Sequence, residues 1–214
     1  DRIDVNRPLY PQLTRDKMAA RLKAAAGAFA EDVRRWPELS RTRFSMLMPA
    51  NYLTPPRDTG NEGGLSGRWM VGGHFDLAAD EALIITAKPS DAAYQGIQLG
   101  HHWWESLDYA NRQTSLSLDQ ARISSDGAIY FVICHQDPGV SNWLDTDGFS
   151  RGIILMRYDG MSSPLMDDEK PVAKVVKLQE LREHLPSDDP LISTEQRAQV
   201  IAARRRHVQQ RFGF

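Results

Sequence analysis

The chain has 214 residues, 41% of them hydrophobic and 25% charged, with a net charge of −2. That is enough apolar material for a real core, and too little net charge to argue for nucleic acid or an anionic membrane surface as a partner. No apolar run approaches the roughly 20 residues of a membrane-spanning helix, and a single cysteine, Cys134, excludes an internal disulfide.

In chain order, TRDKMAARLKAAAGAFAEDVRRW (14–36) predicts an amphipathic helix. Met18, Leu22, Ala25, Phe29, Val33 and Trp36 recur at spacings of three and four, Thr14 is placed to cap the helix, and Pro37 to end it. Its simplest role is packing. LTPPRDTGNEGGLSGR (53–68) predicts a loop, dense in Pro, Gly, Asn and Ser and without periodicity. From 69 to 178 the texture is that of short strands: WMVGGHF, ALIITAK, YQGIQLG, QTSLSL, IYFVIC, GIILMRY and VAKVVKL, most of them separated by turn signals such as SSDG and YDG. Many short strands without helical periodicity predict a mainly β, jelly-roll-like antiparallel sandwich. Beyond Pro186, STEQRAQVIAARRRHVQQRF predicts a second helix, with Ser193 and Gln196 spaced for a capping box and Ile201, Val208 and Phe212 forming a narrow apolar stripe. ARRRH within it is a basic patch, suited to phosphate groups or, more simply, to a solvated helix face. The division predicted is a helix and loop over 1–68, the sandwich over 69–178, and a helical extension packing on it over 179–214. No secretory leader pattern is visible, and the first residue is Asp1 rather than Met, so the compartment stays open.

HQDPGVSNWLDTDG (135–148) concentrates polar residues between two apolar runs. Asp137-Pro138-Gly139 is a turn signature: Asp hydrogen-bonds the backbone ahead, Pro fixes φ and Gly permits positive φ. Asp145-Thr146-Asp147-Gly148 repeats that logic. Asn142 and Trp143 have no such duty, and Trp beside Asn and Asp suits carbohydrate, the ring stacking and the amide binding hydroxyls; the same Trp equally suits a capped core. An EF-hand loop is excluded, because aligning Gly148 with the loop glycine puts Trp143 first and Ile154 twelfth.

HHWWESLDYANRQ (101–113) is the second concentration. On a strand, consecutive tryptophans point to opposite faces, so one of Trp103 and Trp104 is expected in a groove, at an interface or against the flanking helices. Glu105 and Asp108 share a face if the segment is helical, which would suit the carboxylate pair of a glycosidase, and Asp145 is a further catalytic candidate. Arg112 and Arg157 are candidate ligand contacts, or, preferred, buried ion-pair partners of Asp108 or Asp145. His74 with Asp76, and His135 with Asp137, are His-x-Asp pairs suited to a metal or an oriented base, but metal-binding cupins carry His-x-His, and HHWWE does not match, so no metal is predicted. Cys134 reads as a small core residue. No cofactor is predicted, since the sequence contains no Gly-x-Gly-x-x-Gly, phosphate loop, Gly-x-Ser-x-Gly or Cys-x-x-Cys.

The stretch over roughly 80–158 resembles the domain-of-unknown-function 1214 family. The resemblance rests on YQGIQLG with its following Trp, ESLDYANRQTSL, SSDG, DPGVSNWLDTDG and Arg157 after the next strand. It implies a jelly-roll sandwich, often accompanied by another β-rich domain that is not evident here, and it implies no established activity.

Two functions follow. The first is recognition of a polar, carbohydrate-like small molecule in a groove formed by loops 101–112 and 135–148, with hydrolysis as an extension; Trp103, Asn142, Trp143, Arg112, Arg157 and His135 are its expected ligand contacts. The second is an assembly domain forming a homo-oligomer through Trp103, Trp104 and the basic terminal helix.

Overall fold

From Ile129 to Cys134 the side chains alternate between two cores, and the whole architecture follows from that alternation. A computed structural model describes residues 13–42, 48–60 and 64–213; of the loop expected over 53–68, residues 61–63 lie outside it. The elements are α1 (Arg15–Ser40), β1 (Tyr52–Leu53), β2 (Arg57–Asp58), β3 (Arg68–Asp76), β4 (Glu81–Ala87), β5 (Tyr94–Gly100), β6 (Ser115–Ser117), β7 (Ile129–Cys134), β8 (Trp143–Asp145), β9 (Arg151–Asp159), β10 (Val172–Lys177), a 3₁₀ segment (Leu178–His184) and α2 (Thr194–Phe212). Sheet A has the order β1-β3-β9-β5-β6, with β2 also on β3, and sheet B the order β10-β4-β7-β8.

The chain is a mainly β sandwich with a helix at each end. Ile129, Phe131 and Ile133 of β7 point between the sheets, where they meet Leu83 and Ile85 of β4, Ile97 and Leu99 of β5, and Ile154 and Met156 of β9. Val132 and Cys134 point the other way, into a second core with Ala82, Ile84, Trp143, Leu181 and Leu185. β7 is therefore apolar on both faces, because the 3₁₀ segment covers the outside of sheet B. Each fully buried Leu, Ile or Phe contributes about 1.5–3 kcal/mol. β9, late in sequence, inserts between β3 and β5, pairing Leu155 with Gly72 and with Gln98. That crossing gives the sandwich its roll-like topology. Gly152 makes it possible at the strand's start: a Cβ there would sit 2.5 Å from the Phe75 ring.

Three features differ from the expectations. β7 and β8 pair in parallel, Val132 with Trp143, whereas every other pairing is antiparallel. The intervening turn is drawn outward, where Val140 bridges to Leu191, and β8 is only three residues long. β1, which runs into the start of the expected loop, and β2, inside it, add to sheet A, so the sandwich begins before residue 69. Pro37 does not end α1, which continues to Ser40; its last turn is pinned from outside by Ser40 Oγ donating to the His102 carbonyl at 2.6 Å. The caps are as expected: Thr14 accepts from the Lys17 N–H, and Ser193 and Gln196 form the capping box.

A candidate binding groove beneath the first helix

The two loops expected to form a groove do meet, but they close on each other. Arg112 bridges them, reaching Asp145 at 2.9 Å and Asp147 at 2.7 Å, and the Asp145 N–H donates to the Gln113 carbonyl. This is the ion pair preferred for Arg112. Asn142 and Trp143 do not line an open surface; they are 5% and 7% exposed. The Asn142 amide grips the backbone of Arg122 at both ends, accepting from its N–H at 2.7 Å and donating to its carbonyl at 2.8 Å. Trp143 donates through Nε1 to the Cys134 carbonyl at 3.0 Å and lies under the Arg197 guanidinium, 5.2 Å from ring centroid to Cζ. Their place is in the packing, because β8, at the edge of sheet B, carries all three of its side chains into buried surroundings.

His135 is likewise committed to structure. Nε2 donates to the Leu77 carbonyl at 3.1 Å and Nδ1 accepts from the Thr146 hydroxyl at 2.9 Å, which fixes one tautomer and leaves neither nitrogen for a ligand. Cys134 is buried, its thiol donating to the Gln136 carbonyl, and burial pushes its pKa up to about 12; a thiol so placed is not a nucleophile. Among the described residues no three His, Cys, Asp or Glu side chains converge on a point where a metal would sit.

The segment 101–106 is a turn rather than a helix. Gly100 bridges to Ser106, the His101 N–H donates to the Glu105 carbonyl and the Trp104 N–H to the His101 carbonyl. Trp104 sits in the left-handed region at φ 62°, a conformation rare for a bulky residue and favoured only where the surroundings enforce it. Its consequence is that Trp103 and Trp104, which would face opposite ways on a strand, both turn toward α1. The Trp36 and Trp104 rings lie 6.2 Å apart at 47°. Together with Phe29 and Val33 of α1, and Met70, Leu155 and Arg157 on the outer face of sheet A, they enclose a groove of about 520 Å³. Volumes of roughly 300–1,000 Å³ are typical of small-molecule sites.

Arg157 is the polar centre of this groove. It stands opposite Met70 on β3 and Gly96 on β5, and it pairs with neither Asp108 nor Asp145. It is half-buried, and its Nε has no hydrogen-bond partner among the described residues. The side chains of Asp32 and Glu105 border the same space. Glu105 is held by His101, Nε2 to Oε2 at 2.9 Å. Asp108 is not part of the groove: the Asn111 side-chain amide, the backbone N–H groups of Asn111 and Ala110, and the Arg112 charge hold its carboxyl below the ordinary carboxylate range. A carboxylate so held does not serve as a general acid. The candidate carboxylates are each engaged by other groups: Glu105 by His101 at the groove, Asp108 by its own turn, Asp145 by Arg112.

The sequence did not point to Phe29, Val33, Trp36 or Met70 as site residues. The helical periodicity did flag Phe29, Val33 and Trp36, but as packing positions, and only the orientation of α1 across sheet A makes them a wall.

No protein-family model and no curated protein matches the chain. Among solved structures, an uncharacterised protein from Burkholderia cenocepacia is similar at 34% identity over 61% of this chain, with a TM-score of 0.55. This chain spans 36% of that protein's length. A protein from Vibrio parahaemolyticus is 16% identical, over 79% of this chain and 48% of its own, with a TM-score of 0.44.

Proposed function

We propose that the chain binds a polar, ring-bearing small molecule of carbohydrate type in the groove between α1 and sheet A, as a binding module rather than a hydrolase. The observation that carries this reading is the left-handed turn at Trp104, which puts two adjacent tryptophans into one groove beside a half-buried guanidinium whose Nε has no partner among the described residues. Flat rings suit the apolar faces of a sugar, while Arg157, Asp32 and Glu105 suit its hydroxyls. The family resemblance over 80–158 belongs to the same proposal and adds no activity to it.

Tryptophan fluorescence is the direct readout, titrated with a panel of neutral mono- and disaccharides. At least one is expected to give a saturable change. Arg157→Gln is expected to weaken that binding by about 10- to 100-fold, since a hydrogen bond to a charged group is worth about 1.5–3 kcal/mol. Its stability should stay within about 0.5 kcal/mol of the parent, because no partner is stranded. No response across the panel, or an equal response after Trp103→Ala, ends the reading.

A second reading, assembly, is favoured by one observation. Every residue from 15 to 32 is exposed, and the apolar stripe of α1 goes uncovered there, with Leu22 at 63% and Phe29 at 71%. An amphipathic helix gains most of its stability by burying its apolar face, and a second copy would bury this one. Light scattering of the purified chain at tens of micromolar should then show a dimer or larger, and Leu22→Glu should return it to a monomer. A parent chain that is already monomeric removes this reading.

A further inference from the structure

A second cleft lies at the edge of the sandwich formed by β6 and the segment before β8, where α2 runs past them. Its volume is about 600 Å³. α2 is fixed at its start by Arg197 and by the Ile192 N–H donating to the Gly139 carbonyl, and further along by Arg204 and Arg205, which reach Ser115, Tyr109 and Asn111; the cleft opens between these two attachments and β6.

The lining separates into two parts. Leu116, Val200 and Val208 give an apolar floor, and Arg204, His207 and Arg211 line the same cleft from α2. No Asp or Glu is among the lining residues. Arg204 is the decisive one. It is half-buried, donating from Nη2 to Ser115 Oγ at 2.9 Å and from Nε to the Tyr109 carbonyl at 3.3 Å, both neutral acceptors. It makes no ion pair among the described residues, unlike Arg197 on the same helix, which reaches Asp137 at 2.8 Å. Burial also pulls the Arg204 pKa down, the mark of a charge removed from water without a counter-charge. A guanidinium in such a place needs an anion.

The helix dipole does not account for it. Cations complement the dipole within the last turn, which covers Arg211, whereas Arg204 sits two turns earlier in a helix ending at Phe212. The exposed neighbours Arg205 and Arg206 are solvated, Arg205 donating to Asn111 Oδ1 at 2.8 Å.

We infer that this cleft binds an anionic amphiphile, a carboxylate or phosphate head on an apolar body, with Arg204 and Arg211 at the head and Leu116, Val200 and Val208 along the tail. The site is independent of the tryptophan groove.

Calorimetric titration of the full chain tests it, in phosphate-free buffer, with octanoate, octyl phosphate and 1-octanol as probes below their micellar concentrations. One or both anions should bind at one equivalent, and 1-octanol at least about tenfold more weakly; the pair of anions shows which head is preferred. Arg204→Gln should lower affinity about tenfold or more, the loss of one charged hydrogen bond. Arg206→Gln, the same change of net charge on the exposed face, should leave it within about twofold. Trp103→Ala should leave it unchanged, which keeps this result separate from the groove. If Arg204→Gln does not fold, Arg211→Gln takes its place with a loss of about threefold or more. The inference is overturned if neither anion binds saturably, if 1-octanol binds as well as the anions, or if Arg206→Gln weakens binding as much as the cleft arginine does.

Discussion

Replacing Arg197 with methionine is expected to lower stability by about 3 kcal/mol, about 6–12 °C in melting temperature for a chain of this length. Arg197 is 7% exposed and joins three things at once: the Asp137 carboxylate, the Val140 carbonyl at 2.5 Å and the face of Trp143. Breaking a buried pair by removing one partner costs about 3–5 kcal/mol. The low end applies because Asp137 keeps 31% of its side-chain surface in water and a second hydrogen bond to the Gly139 N–H. Methionine keeps much of the packing volume, so the loss measured is that of the charge and its bonds. Lys88 pairs with Asp168 at a similar 2.8 Å, yet the two side chains are 50% and 76% exposed. Lys88→Met should cost less than about 1 kcal/mol. Thermal and urea unfolding of the two variants check the contrast; equal losses would mean that the Arg197 network does not hold α2 to the turn at 137–140.

Asn142→Ala is expected to cost about 1–3 kcal/mol, read by the same unfolding measurements. The amide is a two-point clamp on the Arg122 backbone, and its removal strands a donor and an acceptor next to a buried strand. The substitution should leave both the sugar titration and the octyl phosphate titration unchanged, because Asn142 lines neither the groove nor the cleft. A variant as stable as the parent but weakened in sugar binding would restore Asn142 to a ligand site and count against the groove beneath α1.

The strands were readable because short β-prone runs are bounded by turn residues. YQGIQLG and IYFVIC coincide with β5 and β7 residue for residue. The turns at Asp137 and Asp145 were readable because their chemistry is local: the Asp137 carboxylate accepts from the Gly139 N–H, and Asp145 from the Asp147 N–H. Two- and three-residue strands such as β1, β2 and β8 were not, since so short a run carries no period. The site was the least legible part. Asn142 and Trp143 look like ligand contacts by type, and nothing in their neighbours in sequence tells that Arg122 and Arg197, 20 and 54 positions away, supply their partners.

By itself, then, the sequence determined what is local or periodic in this protein: the mainly β class, the caps at Thr14 and Ser193, and the pairing of a basic helix with an apolar stripe. The tertiary structure decided what depends on one element crossing another. A left-handed φ at Trp104 turns both tryptophans toward α1, the insertion of β9 puts Arg157 beside them on the outer face of sheet A, and the course of α2 past β6 gives Arg204 neutral acceptors and no counter-charge among the described residues. Each is a long-range outcome of how layers stack, and a side chain's partner across a layer is fixed by packing geometry and not by its spacing along the chain.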